Sequence, residues 1–158
     1  KKRGALAQQI KEQALAWAIG QASVAEIDQM NVLQASHLAM RRAVHLLAIR
    51  PHKLLVDGNK LPKFDIPAEA VIKGDLNVPA IGAASIIAKV FRDEEMMAMA
   101  DKYPGYGFAR NKGYPTKQHR DALQRIGVTQ IHRRSYAPVQ QALSVHATQP
   151  RARQQEQQ

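Results

Sequence analysis

Residues 54–75, LLVDGNKLPKFDIPAEAVIKGD, decide the fold class. Two short apolar runs, Lys53 to Asp57 and Ala68 to Lys73, are bounded by Gly and Pro, a pattern that suits buried strands better than helices. Asp57 closes the first run, and Asp75 follows the second after Lys73 and Gly74. A carboxylate at a strand end sits at the rim of a sheet, and Gly58 and Asn59 let the chain turn sharply beyond Asp57. Mg2+ and Mn2+ take oxygen ligands and keep several waters, so a few converging carboxylates suffice to hold them against a phosphodiester. Either Asp, taken singly, could instead do no more than begin a turn after its strand.

Outward from this segment the sequence alternates between helical and extended patterns. A helix is expected over Lys2 to Gln13, then a short strand over Trp17 to Ala22. Ser23-Val-Ala-Glu26 has the spacing of a capping box, and Asn31 can cap a longer helix reaching about Ala48, with Pro51 beyond its end. Pro79 suits the first turn of a helix that continues to about Lys102 and is stopped by Pro104. A loop from Tyr103 to Pro115 follows, Thr116 caps a helix ending near Gly127, and Pro138 to Val145 makes a last short helix. Helices alternating with buried strands imply an α/β domain, yet three strands are few for so many helices. From residue 147 the tail lacks apolar periodicity, so residues 147–158 are expected to be disordered, leaving one domain over 1–146.

The chain has 158 residues, 45% of them hydrophobic, and 23 Lys and Arg against 13 Asp and Glu, a formal charge of +10. That charge attracts polyanions, nucleic acid first among them, although excess cations can also serve only solubility. There are no cysteines, which excludes disulfides, thiolate zinc sites and thiol nucleophiles, and fits a reducing, cytoplasmic setting. No apolar run approaches the roughly 18 residues of a membrane span, so no membrane partner is expected. The chain opens at Lys1 rather than Met, already within a helical pattern, which leads us to expect residues ahead of it.

Three further groups of residues could face a polyanion. Ser85, Lys89 and Arg92 share one helical face at i, i+4 and i+7, although Asp93, Glu94 and Glu95 follow directly and could pair with them. The loop Tyr106-Gly-Phe-Ala-Arg-Asn-Lys-Gly-Tyr-Pro-Thr116 sets rings among Gly and cations, including Lys112, and Tyr114 between Gly113 and Pro115 should present its ring outward. Tyr106 and Phe108 could equally cover the core. In His132-Arg-Arg-Ser-Tyr136, Arg133, Arg134 and Ser135 make a set suited to clamping phosphate. His37 and His45 fall inside the long helix and read as structural, and no histidine pair has zinc spacing.

Taken in order, LLVDGN, AVIKGD, AASIIAKVFRD, YGFARNKGYPTKQH and IHRRSY resemble the successive motifs of bacterial ribonuclease HII. KKRGALAQQIKEQALAW and EIDQMNVLQASHLAMRRAV are also similar to that family's helices, so the resemblance spans nearly the whole chain. It implies a ribonuclease H-like α/β fold, with a mixed central sheet flanked by helices and a C-terminal helical region. It also implies an endonuclease that cuts the RNA strand of RNA–DNA hybrids and incises DNA duplexes on the 5′ side of single embedded ribonucleotides; we expect the protein to be a monomer. Family chemistry uses Mg2+ or Mn2+ held by four acids, to which Asp57 and Asp75 correspond as the third and fourth. Tyr114 corresponds to the tyrosine that packs at the junction sugar, and Ser85, Lys89, Arg92, Lys112, Arg133, Arg134 and Ser135 fall in motifs that line the substrate side.

This sequence departs from the family pattern in two respects. The family's first two acids, an Asp-Glu pair on an opening strand, and its Gly-Arg-Gly loop have no counterpart in residues 1–158. They are expected upstream of Lys1, where two strands and their connections, on the order of 40 residues, would also complete the sheet. Without them the chain is expected to be nearly inactive, and a remnant that binds hybrid or duplex through its basic face without cutting is the alternative. Asn111 stands where many relatives carry His.

Overall fold

The computed structural model describes residues 2–148, so all but the start of the tail expected to be disordered lies outside them. The chain divides into two compact units, Lys1–Glu94 and Glu95–Gln158. In the first unit α1 spans Lys2–Gln13, α2 Val24–Met30 and α3 Val32–Leu46. Their starts are set locally. Ser23 Oγ accepts the Glu26 N–H (3.2 Å) while Glu26 Oε2 accepts the Ser23 N–H (2.8 Å), which is the expected capping box. Asn31 ends α2 and begins α3: its N–H donates to the Ile27 carbonyl, and its Oδ1 accepts the Gln34 N–H (3.1 Å). The sharp corner between the helices puts Asn31 at φ 76°, a conformation few residues other than Gly adopt.

The strand expected over Trp17 to Ala22 is irregular chain instead. A strand exists only through a neighbour's ladder, and this segment's contacts go to helices. The Gln21 carbonyl accepts from Arg42 (2.8 Å), and Gly20 lies so close to α3 that a side chain would collide with the Ala39 carbonyl and the Ala43 amide. Arg42 also grips Glu26 with both nitrogens (2.9 and 2.6 Å). That bond first, and the Ser23 N–H second, hold the Glu26 carboxyl at a pKa of about 2.

The described residues contain two strands, β1 (Leu54–Asp57) and β2 (Ala68–Val71), paired in parallel with Leu54 opposite Ala68 and Asp57 opposite Val71. Both are more exposed than their apolar composition suggests, only Val56 being buried. β2 ends before Asp75. Lys73 takes a left-handed conformation (φ 55°, ψ 38°) that turns the chain into the single-turn helix α4 (Gly74–Asn77), so Asp75 lies in a helical first turn and not at a strand end. α5 follows over Pro79–Lys102 with the expected bounds, and no described helix is long and apolar enough to cross a membrane. Ala7, Ala35, Val56, Ile66, Ile81 and Ile87 are buried aliphatic positions of this unit.

The second unit contains the end of α5, the single turn α6 (Phe108–Asn111), α7 (Lys117–Ile126) and α8 (Ala137–Thr148). Its core joins Met96, Tyr106, Phe108, Ala122, Leu123, Val139 and Ala142. Thr116 caps α7 through the His119 N–H (3.3 Å), and Gly127 at φ 87° ends it. Tyr106 and Phe108 are core residues, stacked with centroids 5.3 Å apart. The Tyr106 hydroxyl donates to the Gly127 carbonyl (2.8 Å), and burial raises its pKa above 10.

Candidate active site and nucleic-acid face

The backbone at Asp75 is held near the Asp57 carboxylate by Gly74. The Asp57 Oδ1 accepts the Gly74 N–H at 2.8 Å, tying the end of β1 to the first turn of α4. Consecutive Cα atoms are about 3.8 Å apart, so this bond fixes Asp75 one residue from the Asp57 carboxylate. Gly74 is closely packed at this turn. A Cβ at Gly74 would lie 2.5 Å from Ile81 Cδ1, 3.3 Å from Val71 Cβ and 3.4 Å from Asp57 Oδ1. Both carboxylates are exposed and offer hard oxygen donors. Mg2+-type cations are commonly held by one or two carboxylates with water and phosphate oxygens completing the shell, so these donors are of the type such an ion takes. No third His, Cys, Asp or Glu joins the pair among the described residues.

The face of α5 that begins beside Asp75 carries the expected phosphate-facing residues. Gly82 packs on the Asp75 carbonyl, which would lie 3.1 Å from a Cβ there. Ser85, Lys89 and Arg92 follow Gly82 at i+3, i+7 and i+10, on the same side of the helix and reaching roughly 15 Å along it. Lys89 and Arg92 are exposed and Ser85 is half-buried. Asp93, which could neutralise this face, pairs with Arg3 of α1 at 3.7 Å.

In the second unit Tyr114 is 68% exposed, and its ring points to solvent as the flanking Gly113 and Pro115 suggest. Its backbone is anchored. The Tyr114 N–H donates to the Asn111 carbonyl (2.8 Å), and the Tyr114 carbonyl accepts the Thr116 N–H (2.8 Å). Asn111 is buried and uses both ends of its amide: Nδ2 donates to the Tyr106 carbonyl (2.7 Å), and Oδ1 accepts the Gly113 N–H (2.8 Å). Lys112, half-buried and left-handed at φ 50°, ends α6. Arg133 lies over the Tyr136 ring at 4.8 Å, Ser135 is exposed, and Arg134 borders a cavity of about 480 Å3 with Thr129 and Leu143.

Sequence reasoning does not single out the pair formed by His119 and His132. Both are buried, with Nε2 atoms 3.1 Å apart. His132 is driven down to a pKa of about 4, by burial first and then by His119, against the opposing effect of the Thr129 backbone. The available signal is weak: His119 shares the apolar side of α7 with Ala122 and Leu123, and His132 follows Ile131.

The fold class emerges from comparison with solved structures. The chain superimposes on the crystal structure of the ribonuclease H2 from Pyrococcus horikoshii OT3 with a TM-score of 0.74, covering 94% of this chain and 78% of that one at 24% identity. The fold is therefore that of a type 2 ribonuclease H, an α/β fold as expected. Two ribonuclease HII proteins of Vibrio vulnificus, from strains YJ016 and CMCP6, are each 54% identical to it over 145 residues, 92% of this chain and 70% of theirs. The family model for ribonuclease HII matches residues 1–139, and the chain belongs to that family.

Proposed function

We propose that this chain carries most of a metal-dependent endonuclease that cleaves the RNA strand of RNA–DNA hybrids in the cytoplasm and incises duplex DNA 5′ of single ribonucleotides. The observation that carries this reading is the Gly74 N–H bond to the exposed Asp57 carboxylate, which ties the end of β1 to the turn that holds exposed Asp75, ahead of the α5 residues Ser85, Lys89 and Arg92. Asp57 and Asp75 hold Mg2+ or Mn2+, which supplies an activated water and charge stabilisation at the leaving oxygen. Ser85, Lys89 and Arg92 bind phosphates along the strand, as do Lys112, Arg133, Arg134 and Ser135 on the second unit. The exposed Tyr114 ring packs on the sugar at the junction between ribonucleotide and deoxyribonucleotide. The protein acts as a monomer.

Asp57 and Asp75 answer to two of the four family acids, so residues 1–158 alone are expected to bind the cation weakly and to turn over slowly. Mn2+ binding followed by its paramagnetic resonance, with cleavage of a DNA duplex bearing one ribonucleotide, tests both points. Asp57→Asn and Asp75→Asn should each abolish the remaining Mn2+ binding. Unchanged binding in both variants would remove the metal assignment, and brisk Asp57-dependent cleavage would show that two acids suffice. The formal charge of +10 favours a second reading, a protein that binds hybrid or duplex through its basic face without cutting. Salt-sensitive duplex binding with no Mn2+-dependent cleavage under any condition would establish it.

A further inference from the structure

The His119–His132 pair has fixed chemistry at both ends. At one end His132 Nδ1 lies 3.1 Å from the Thr129 backbone nitrogen and 2.9 Å from its Oγ1. A backbone N–H can only donate, so Nδ1 is bare and neutral His132 carries its proton on Nε2. That proton points at His119 Nε2, 3.1 Å away, which must therefore be bare. His119 then carries its proton on Nδ1, 3.1 Å from the Tyr114 carbonyl, a group that can only accept. One tautomer of each ring satisfies every contact, giving a directed chain from Thr129 through His132 and His119 to Tyr114.

The surroundings of this chain are aromatic and buried. Tyr106 and Phe108 pack on both rings, with centroids 5.1 to 6.3 Å away. The Tyr106 hydroxyl is committed to the Gly127 carbonyl and does not compete. The depressed pKa of His132 fits a ring that stays uncharged near neutrality. At the far end the Tyr114 carbonyl has a local donor in the Thr116 N–H, and His119 adds the contact that ties this exposed turn to the buried core.

We infer that His119 and His132 are positioning residues for Tyr114, fixing through its carbonyl the backbone from which its exposed ring meets the nucleic acid. The inference rests on the proposed role of Tyr114 at the junction sugar. It assigns work to two histidines that take no part in metal or phosphate binding.

The test has two arms that fail separately. Long-range 1H–15N spectra of residues 1–158 at pH 7 should show His119 protonated on Nδ1 and His132 on Nε2. His119→Leu should shift the Tyr114 ring and backbone resonances, and His119→Asn, which keeps a donor at the Nδ1 position, should restore them. The opposite tautomers, or Tyr114 resonances unmoved by His119→Leu in a variant that still melts cooperatively, would overturn the positioning role. The second arm measures anisotropy of a DNA duplex with one ribonucleotide and of its all-DNA counterpart, in Ca2+. His119→Leu should reduce the preference for the ribonucleotide by about tenfold, the scale of one hydrogen bond, with His119→Asn recovering it. A preference that survives Tyr114→Ala would sink the junction-sugar reading while leaving the first arm to decide the positioning. A preference that is lost with Tyr114→Ala but kept in His119→Leu would sink the positioning role alone.

Discussion

Acid should destabilise this protein through one buried imidazole. An ordinary unfolded histidine titrates near 6.5, and His132 in the fold titrates at about 4. As the pH falls below 6.5 the unfolded chain takes up this proton while the folded chain refuses it, so the equilibrium moves toward unfolding until about pH 4, where the folded ring protonates too. The pKa difference corresponds to roughly 3 kcal/mol, reached with a slope of at most about 1.4 kcal/mol for each pH unit. His132 is only 7% exposed, so solvent screens little of this effect. Urea unfolding of residues 1–158 between pH 7 and pH 4, beside the same series for His132→Gln, isolates it. The variant keeps a donor toward His119 but does not titrate, and carboxylates that titrate in both proteins cancel in the difference. Wild type should lose stability faster than the variant between pH 6.5 and pH 4, with the two curves parallel above pH 7. Parallel curves throughout, or an NMR titration of the His132 ring centred near 6.5, would refute the reasoning.

Asn31→Ala removes the side-chain cap of α3 and should cost about 1 kcal/mol in urea unfolding. Tyr106→Phe leaves the Gly127 carbonyl without its hydroxyl donor, and thermal melting should report a loss of about 1–2 kcal/mol. Gly20→Ala forces a methyl group into the α3 backbone, costing about 1–3 kcal/mol, and should change the emission of Trp17, the only tryptophan, as the segment lifts from the helix.

Features closed by short-range chemistry are legible in the sequence. Ser23 with Glu26, Asn31 with Gln34 and Thr116 with His119 each complete a cap within three residues, and the corresponding helices begin where the caps place them. Pro79 and Gly127 mark boundaries for the same local reason. Trp17 to Ala22 is not legible, because whether an apolar run becomes a strand depends on what lies beside it, and Arg42 and Ala39 are far along the chain. Asp75 is legible as a candidate but not in its setting, since nothing in Ile72-Lys73-Gly74 announces that Lys73 will turn left-handed and end β2 early. The histidine pair is hidden for a related reason. Its members are separated by a helix and a turn, and the feature that joins them is a shared buried space, which has no pattern along the chain.

The anchoring of Tyr114 bears on the entropy of recognition. Aromatic rings exposed to this degree on loops ordinarily arrive with mobile backbones, and ordering a residue's backbone on binding costs about 1–2 kcal/mol. Here the N–H and carbonyl of Tyr114 and the N–H of Gly113 are already bonded to Asn111, Thr116 and His119 in the free protein. Only the two side-chain torsions of the ring remain to be fixed when it meets a partner. A flat, preorganised surface of this kind can contribute most of its contact energy to affinity, much as rigid tyrosines do in antibody loops.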